Sequence, residues 1–331
     1  MESPYFLIAL AAVGVMGFAN QRGGTCTIAA IEEIVTDHRF GRLVAMFEAS
    51  LWVAGGLTLL AGLGRLPVMP VSYAVGVTTF AGGALFGIGA FVNRACAFGS
   101  VTRIGSGDWA YLATPAGIYL GAVVASSLPN PAPLAAPSFM AGTPVWLAVG
   151  VAILLFARLC THGWQIRRGG RAGLSHAWSP HLATTVIGIA FFVALEAAGP
   201  WTYTALLADL AHGATHRTGA KLALNLTLLG GAILGGWTAG RLKLRLPERR
   251  RLLRCLIGGT IMGGGARLIP GGNTSLVLLG LPLLRPYAWL GFASLCLTIY
   301  VVTRLAQTET KSDGTEIDKV DTKTGQKHSG A

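Results

Sequence analysis

Charge is scarce in this sequence. Only 12% of its 331 residues are Asp, Glu, Lys or Arg, where an ordinary soluble domain carries about 25%. Acidic residues are the scarcer sign, 14 against 26 Lys and Arg. No polar stretch is long enough to hold a soluble domain, so the composition is that of a membrane protein. GxxxxGK[ST], GxSxG and HExxH are all missing, which argues against ATP-driven or hydrolytic chemistry; the chain reads as a non-enzyme with no cofactor. The five cysteines include no CxxC pair and no metal-ligand spacing, and they form no disulfide framework. The net charge of +12 raises nucleic acid as a partner. The basic residues instead gather at the ends of apolar runs, most densely in "RLKLRLPERRRLLR" (241–254), where they act as a topology signal.

What is present is hydrophobic length and glycine. Apolar runs of about 20 residues, the length that crosses a bilayer, fall at roughly 4–20, 41–64, 71–92, 107–127, 142–160, 181–199, 219–240, 253–269 and 285–304. The first is read as a retained span, because Met1-Glu2-Ser3 lacks the basic start of a signal peptide. The polar stretch 305–331 lacks hydrophobic periodicity and is expected to be a disordered cytoplasmic tail. With loop 241–254 placed in the cytoplasm, the Arg-rich linker 161–181 also falls inside. The Pro-rich 128–137 and the N-terminus then fall outside and the C-terminus inside. These assignments divide the chain into a first half (1–127), a connecting span and linker (128–180), a second half (181–304) and the tail.

The two halves then have opposite orientations, the plan of an inverted repeat. Its sequence echo is "GGALFGIGAFVNRACAFGS" (82–100) against "GGTIMGGGARLIPGGNTSL" (258–276), although 46 glycines leave coincidence open as the plainer explanation. Each half also holds two segments too short or too polar to cross: "RGGTCTIAAIEEIV" and "NRACAFGSVTRIG", then "GPWTYTALLADLAH" and "PGGNTSLVLLGLP". They read as short re-entrant helices meeting at the midplane, since irregular backbone at membrane depth must be buried in protein or line a cavity. The predicted class is an all-α polytopic membrane protein with about nine spans.

Cys26 and Cys96 each stand where a glycine-rich stretch gives way to a short helix. Free N–H groups and the positive end of the helix dipole suit that place to an anion; the alternative is two small buried hydrophobes. Cys160, Cys255 and Cys296 lie in ordinary spans and are expected to pack. Gly272 falls where the first repeat has Cys96, and Asn273 and Thr274 after it can donate hydrogen bonds. Arg103, Arg94 and Arg22 flank the two cysteines and Arg267 lies in the second glycine ladder; each either attracts an anion or anchors a loop. Glu48 and Glu196 are carboxylates inside spans, either proton carriers or helix ties. His212 and His216 have the spacing of one helix face, with no third metal ligand near them.

Around "GTCTIAA", "GGALFGIGAFVNRACAFGSVTRIGSGD", "AAGPWTYTALLADL" and "GGGARLIPGGNTS" the chain resembles the YeeE/YedE family of sulfur-transport membrane proteins, the thiosulfate transporters, over most of 10–300. The resemblance implies nine spans in two inverted halves, an hourglass with thiosulfate at its waist, and S–H···S hydrogen bonds from Cys26 and Cys96. The chain departs where the family's last motif usually has Gly-Cys, for Gly271-Gly272 stands there, and where an Arg usually precedes Pro-Trp, for Gly199 stands there. A thiolate would repel a dianion, so binding of this kind needs protonated thiols. The expected function is an inner-membrane permease for thiosulfate or a related small sulfur-containing anion. The alternatives are a sulfur relay that passes a persulfide to a cytoplasmic sulfur-carrier protein, and a general anion channel. The expected site is Cys26, Cys96, Gly272, Asn273 and Arg103, with the lipid bilayer as surroundings and no metal or nucleic acid.

Overall fold

Lipid offers no hydrogen-bond partners, so a backbone crossing it must satisfy its own groups, and an apolar chain does this by forming helices. The computed structural model describes residues 4–66, 69–128, 131–134, 142–169, 178–211, 213 and 218–325. The helices are α1 (Pro4–Gly23), α2 (Thr27–Asp37), α3 (Gly41–Gly62), α4 (Val77–Asn93), α5 (Ala97–Gly105), α6 (Ala113–Val124), α7 (Val145–Gly169), α8 (Pro180–Ala198), α9 (Tyr203–Ala211), α10 (Thr218–Thr238), α11 (Arg249–Leu268), α12 (Gly272–Ser275) and α13 (Pro286–Gly325). A π-turn, Leu276–Gly280, extends α12. Two short strands, β1 (Ser72–Tyr73) and β2 (Pro133–Leu134), pair antiparallel beside the bundle.

Among the described residues eight helices are long and apolar enough to cross a membrane, and the bent pair Arg249–Leu268 with Gly272–Gly280 raises the number to nine. The order long, short, long, long, short, long occurs twice, before and after α7. In the first half each short helix follows its long partner closely enough that Pro4–Asp37 and Val77–Gly105 each form one broken span. In the second half α11 and α12 meet at an angle of 44°. Ends also shift from the expected runs. The run at 71–92 opens with β1 and becomes helical only at Val77, α7 runs on to Gly169, and α13 continues through the polar stretch as far as Gly325.

The halves interleave. α1 packs against α8 and α10, α4 against α11 and α13, α6 against α11, and α3 against α8. Exchanging α1–α6 for α8–α13 maps each of these pairs onto itself or onto another of them. The same holds for α2 on α13 and α6 on α9, and for α5 on α10 and α3 on the α12 π-turn. This is the contact pattern that two copies related by a two-fold operation produce.

Glycine makes the crossings close. A Cβ on Gly17 would lie 2.0 Å from the Leu228 carbonyl oxygen, on Gly231 2.0 Å from that of Gly14, and on Gly121 2.0 Å from that of Thr260. Between membrane helices small residues at the interface allow this approach. α7 stands apart: it rests on α3 where Leu155 and Ala148 cover Gly55 and Gly62, and it leaves Trp146, Ile153, Leu154 and Phe156 exposed to the bilayer region.

Neighbouring glycines on α11 test this packing. A Cβ on Gly263 would sit 2.2 Å from the Ile118 carbonyl oxygen, whereas one on Gly264 meets nothing within 4 Å. Gly263→Ala is expected to destabilise by about 1–3 kcal/mol through overpacking, and Gly264→Ala to stabilise by up to about 1 kcal/mol through helix propensity. Thermal unfolding in detergent should therefore move in opposite directions for the two; matching shifts would refute the close crossing.

Candidate functional site

The first two breaks are built alike. α1 ends at Gly24, whose φ of +58° turns the chain out of the helix, and α2 starts after Cys26, which is extended at φ −149°, ψ 132°. α4 ends at Arg94 in the left-handed region, and α5 starts after Cys96, extended at φ −71°, ψ 173°. An asparagine in each preceding helix secures the exposed backbone. Asn20 donates to the Phe98 carbonyl at 3.0 Å and accepts from the Thr25 hydroxyl at 2.5 Å. Asn93 donates to the Ala95 carbonyl at 2.8 Å and accepts from Thr114 at 3.0 Å.

The two sulfurs come together. Cys96 caps α5, its Sγ accepting from the Gly99 N–H at 3.3 Å, while the Cys96 N–H donates to Cys26 Sγ at 3.4 Å. Both are free cysteines. Each sulfur therefore uses a lone pair on a backbone donor, and the two thiols also hydrogen-bond each other. Gly99 makes room for this: a Cβ there would fall 2.4 Å from Cys26 Sγ.

Cys26 and Cys96 face a cavity of about 40 Å³ that α3 lines with Met46 and Ala49, α8 with Thr184 and Ile187, and the last break with Asn273 and Thr274. A cavity of this size holds no more than a few waters. Asn273 Nδ2 donates to Thr27 Oγ1 at 3.4 Å, tying the two halves. Its Oδ1 and the Thr274 hydroxyl are buried and make no hydrogen bond, so the wall opposite the thiols carries unused polar capacity.

Of the second-half breaks, one bears a hydroxyl, Thr202, and the other a glycine where the first half bears thiols. Thr202, just before α9, hydrogen-bonds Ser275 at 2.6 Å, and Thr204 donates to the Gly271 carbonyl. Thr202, Gly271 and Ser275 line a separate cavity of about 450 Å³ whose walls include Arg267, Arg285 and Trp201. Trp201 Nε1 is buried without an acceptor. The short α12 thus divides the two spaces, Ser275 on the large side and Asn273 and Thr274 on the thiol side.

Of the residues expected from sequence, Cys26, Cys96, Asn273 and Thr274 meet at the thiol cavity. Gly272 adjoins it, with φ +64° and with Phe86 so close that a Cβ would lie 2.7 Å from the ring. Arg103 does not join them: it is exposed in the last turn of α5, its guanidinium 6.0 Å from the Tyr111 ring. Arg94 is also exposed, and Arg22 donates to the Thr238 hydroxyl at 2.9 Å. Arg267 lines the large cavity and donates to the Ser126 and Leu128 carbonyls. Glu196 is exposed, and Cys160, expected in the core, is exposed on lipid-facing α7. Cys255 is buried and Cys296 half-buried. His212 and His216 lie outside the described residues.

Glu48 has partners that single-span reading missed. Arg158 Nε and Nη2 donate to its two oxygens at 2.6 and 3.0 Å, His181 Nδ1 lies 2.6 Å from Oε2, and His162 Nε2 lies 3.3 Å from Oε1. Thr185 donates to Oε1 at 3.2 Å and accepts from Trp52 Nε1 at 3.0 Å. The available signal was Arg158 and His162, two polar residues on one face of an otherwise apolar span.

The family model described as Sulphur transport matches residues 22–301. A curated relative, "Probable transporter YedE" of Escherichia coli (strain K12), is 38% identical over 65 residues, which cover 19% of this chain and 16% of that relative's length.

The second copy's backbone explains why glycine sits opposite Cys96. The left-handed conformation at Gly272 disfavours any side chain by about 1–2 kcal/mol, and the Phe86 ring adds crowding. Gly272→Cys is therefore expected to lower the unfolding midpoint in detergent; an unchanged or raised midpoint would show that the left-handed turn is not required.

Proposed function

Because the chain belongs to the sulphur transport family, we propose that it is a multi-pass permease for thiosulfate or a related sulfur anion. In this reading Cys26 and Cys96 hold the ion at the waist of the pathway. The observation that carries it is the meeting of two thiols, both hydrogen-bonded as acceptors and both facing a cavity with Asn273 and Thr274. A protonated thiol is a weak donor and matches a polarisable terminal sulfur better than a hard oxyanion. The buried amide and hydroxyl opposite suit the oxygens at the other end of the same ion.

The exchange pattern of helix contacts supports two inverted halves, and the basic loop 241–254 supports a cytoplasmic face there, with the N-terminus outside and the C-terminus inside a plasma membrane. On that orientation the large cavity is the outer vestibule. Arg267 and Arg285 would concentrate anions in it, and the Thr202–Ser275 pair would receive their oxygens. The thiols lie deeper, beyond α12. Moving a dianion into a cell whose interior is negative opposes the membrane potential by about 2.3 kcal/mol per charge per 100 mV, so uptake needs a concentration gradient or a compensating ion.

Uptake of radiolabelled thiosulfate into proteoliposomes, with sulfate as competitor, tests the reading. Cys96→Ala is expected to cut uptake at least about tenfold, the factor equal to ~1.4 kcal/mol of binding, while the protein still inserts and elutes as the parent does. Sulfate is expected to compete poorly. Undiminished uptake in Cys96→Ala would remove the thiol from the mechanism. A stable extra sulfur on either cysteine, seen by mass spectrometry after thiosulfate exposure, would replace the permease by a sulfur relay.

A further inference from the structure

The ion cluster around Glu48 has a position that a simple helix tie does not need. Glu48 lies on α3 between Met46 and Ala49, which line the thiol cavity, and Thr185 lies on α8 beside Thr184 and near Ile187, which line it too. The cluster therefore sits directly behind the wall that α3 and α8 present to the thiols. The charged and titratable groups that face the Glu48 carboxylate are Arg158 and His162 from α7 and His181 from α8. α3 itself contributes only the carboxylate.

Charge counting gives the cluster its function. Glu48 is 9% exposed, and its charge is cancelled by the bidentate Arg158, so with both imidazoles neutral the cluster is neutral. Histidine is the side chain whose ordinary charge change falls between pH 5 and 8. The His181 ring is about one-third exposed, at 35%, while that of His162 is 5% exposed; one imidazole is within reach of water and the other is enclosed.

Resting on the permease reading above, we propose that Glu48, Arg158, His162 and His181 form the binding site of a proton that travels with the anion. A proton added at His181 Nε2 makes an imidazolium whose Nδ1–H stays on Glu48. The cluster then carries one net positive charge behind the cavity wall and favours an anion beside Cys26 and Cys96. By linkage the anion favours the proton to the same degree. Proton and anion therefore load together and leave together.

The experiment uses the full chain in proteoliposomes and compares two readings on each protein. Exchange of labelled for unlabelled thiosulfate at equal pH on both faces reports anion passage alone. Accumulation with and without a gradient of about one pH unit, alkaline inside, reports coupling, and should rise about tenfold for each proton carried. In His162→Gln and His181→Gln, which keep a hydrogen-bonding group and lose the titration, the ratio with and without the gradient is expected to fall to about one while exchange persists. Detergent-purified parent protein in weak buffer should also take up protons when thiosulfate is added. Should the parent exchange thiosulfate yet show neither gradient response nor proton uptake, the proton site falls and the permease stands. Absence of exchange in the parent overturns both, and a gradient response that survives in both variants places the proton elsewhere.

Discussion

A helix that stops inside a membrane leaves N–H and C=O groups without water to bond them, and every feature of the waist answers that constraint. Asn20 and Asn93 satisfy the Phe98 and Ala95 carbonyls at the second break, Thr204 satisfies the Gly271 carbonyl at the last, and the two cysteine sulfurs accept N–H groups that no carbonyl reaches. The thiols are thus structural caps in their own right. Their geometry is fixed by the backbone they stabilise, so an ion that meets them finds both sulfurs already placed.

The fold repeats, but its chemistry does not. Helix pairing survives exchange of the halves, whereas the residue before each short helix is Cys, Cys, Thr and Gly in turn. Packing imposes the first property: crossings such as Gly121 on Thr260 and Gly17 on Leu228 bring one helix onto the partner's carbonyl oxygen and need glycine at that point. Caps are less constrained, because a sulfur, a hydroxyl or a bare left-handed glycine each ends a helix. A soft face on one side of α12 and a hydroxyl face on the other can therefore coexist within one symmetric frame.

Much of this was legible in the sequence. Run length revealed the spans, and glycine clusters next to short polar segments revealed all four breaks, because both signals are local. Cys26 and Cys96 were legible for the same reason. Arg103 was misplaced, since nearness in sequence is not nearness in space: the turns of α5 carry it about 10 Å from Cys96, past the end of the cavity. Gly99 looked like one more membrane glycine, because its purpose lies in a sulfur 73 residues upstream. Two of the partners of Glu48, Arg158 and His162, come from α7, which lies outside the repeat, and the others, His181 and Thr185, from α8 more than 130 residues away, so neither periodicity nor internal symmetry pointed to them.

The thiol cavity, at about 40 Å³, is too small for an ion the size of thiosulfate, so on the permease reading one wall has to move. The crossings of α1 with α10 and of α6 with α11 are poor candidates, for their backbones touch through glycine and any displacement would open gaps along the whole contact. The wall formed by α12 differs. It is short, begins at two left-handed glycines and continues as a π-turn, a form of helix often found where function needs adaptability. Opposite it, α3 and α8 cross closely at Gly188, where a Cβ would lie 2.6 Å from the Ala49 carbonyl oxygen, and are also held by the Glu48 ion cluster, whose strength depends on charge. Motion of α12 would join the thiol cavity to the large one, and a change of charge behind α3 and α8 would set how firmly the other wall stays shut. On the permease reading the broken helices would divide the work, the sulfurs meeting the ion and the short α12 moving to admit it.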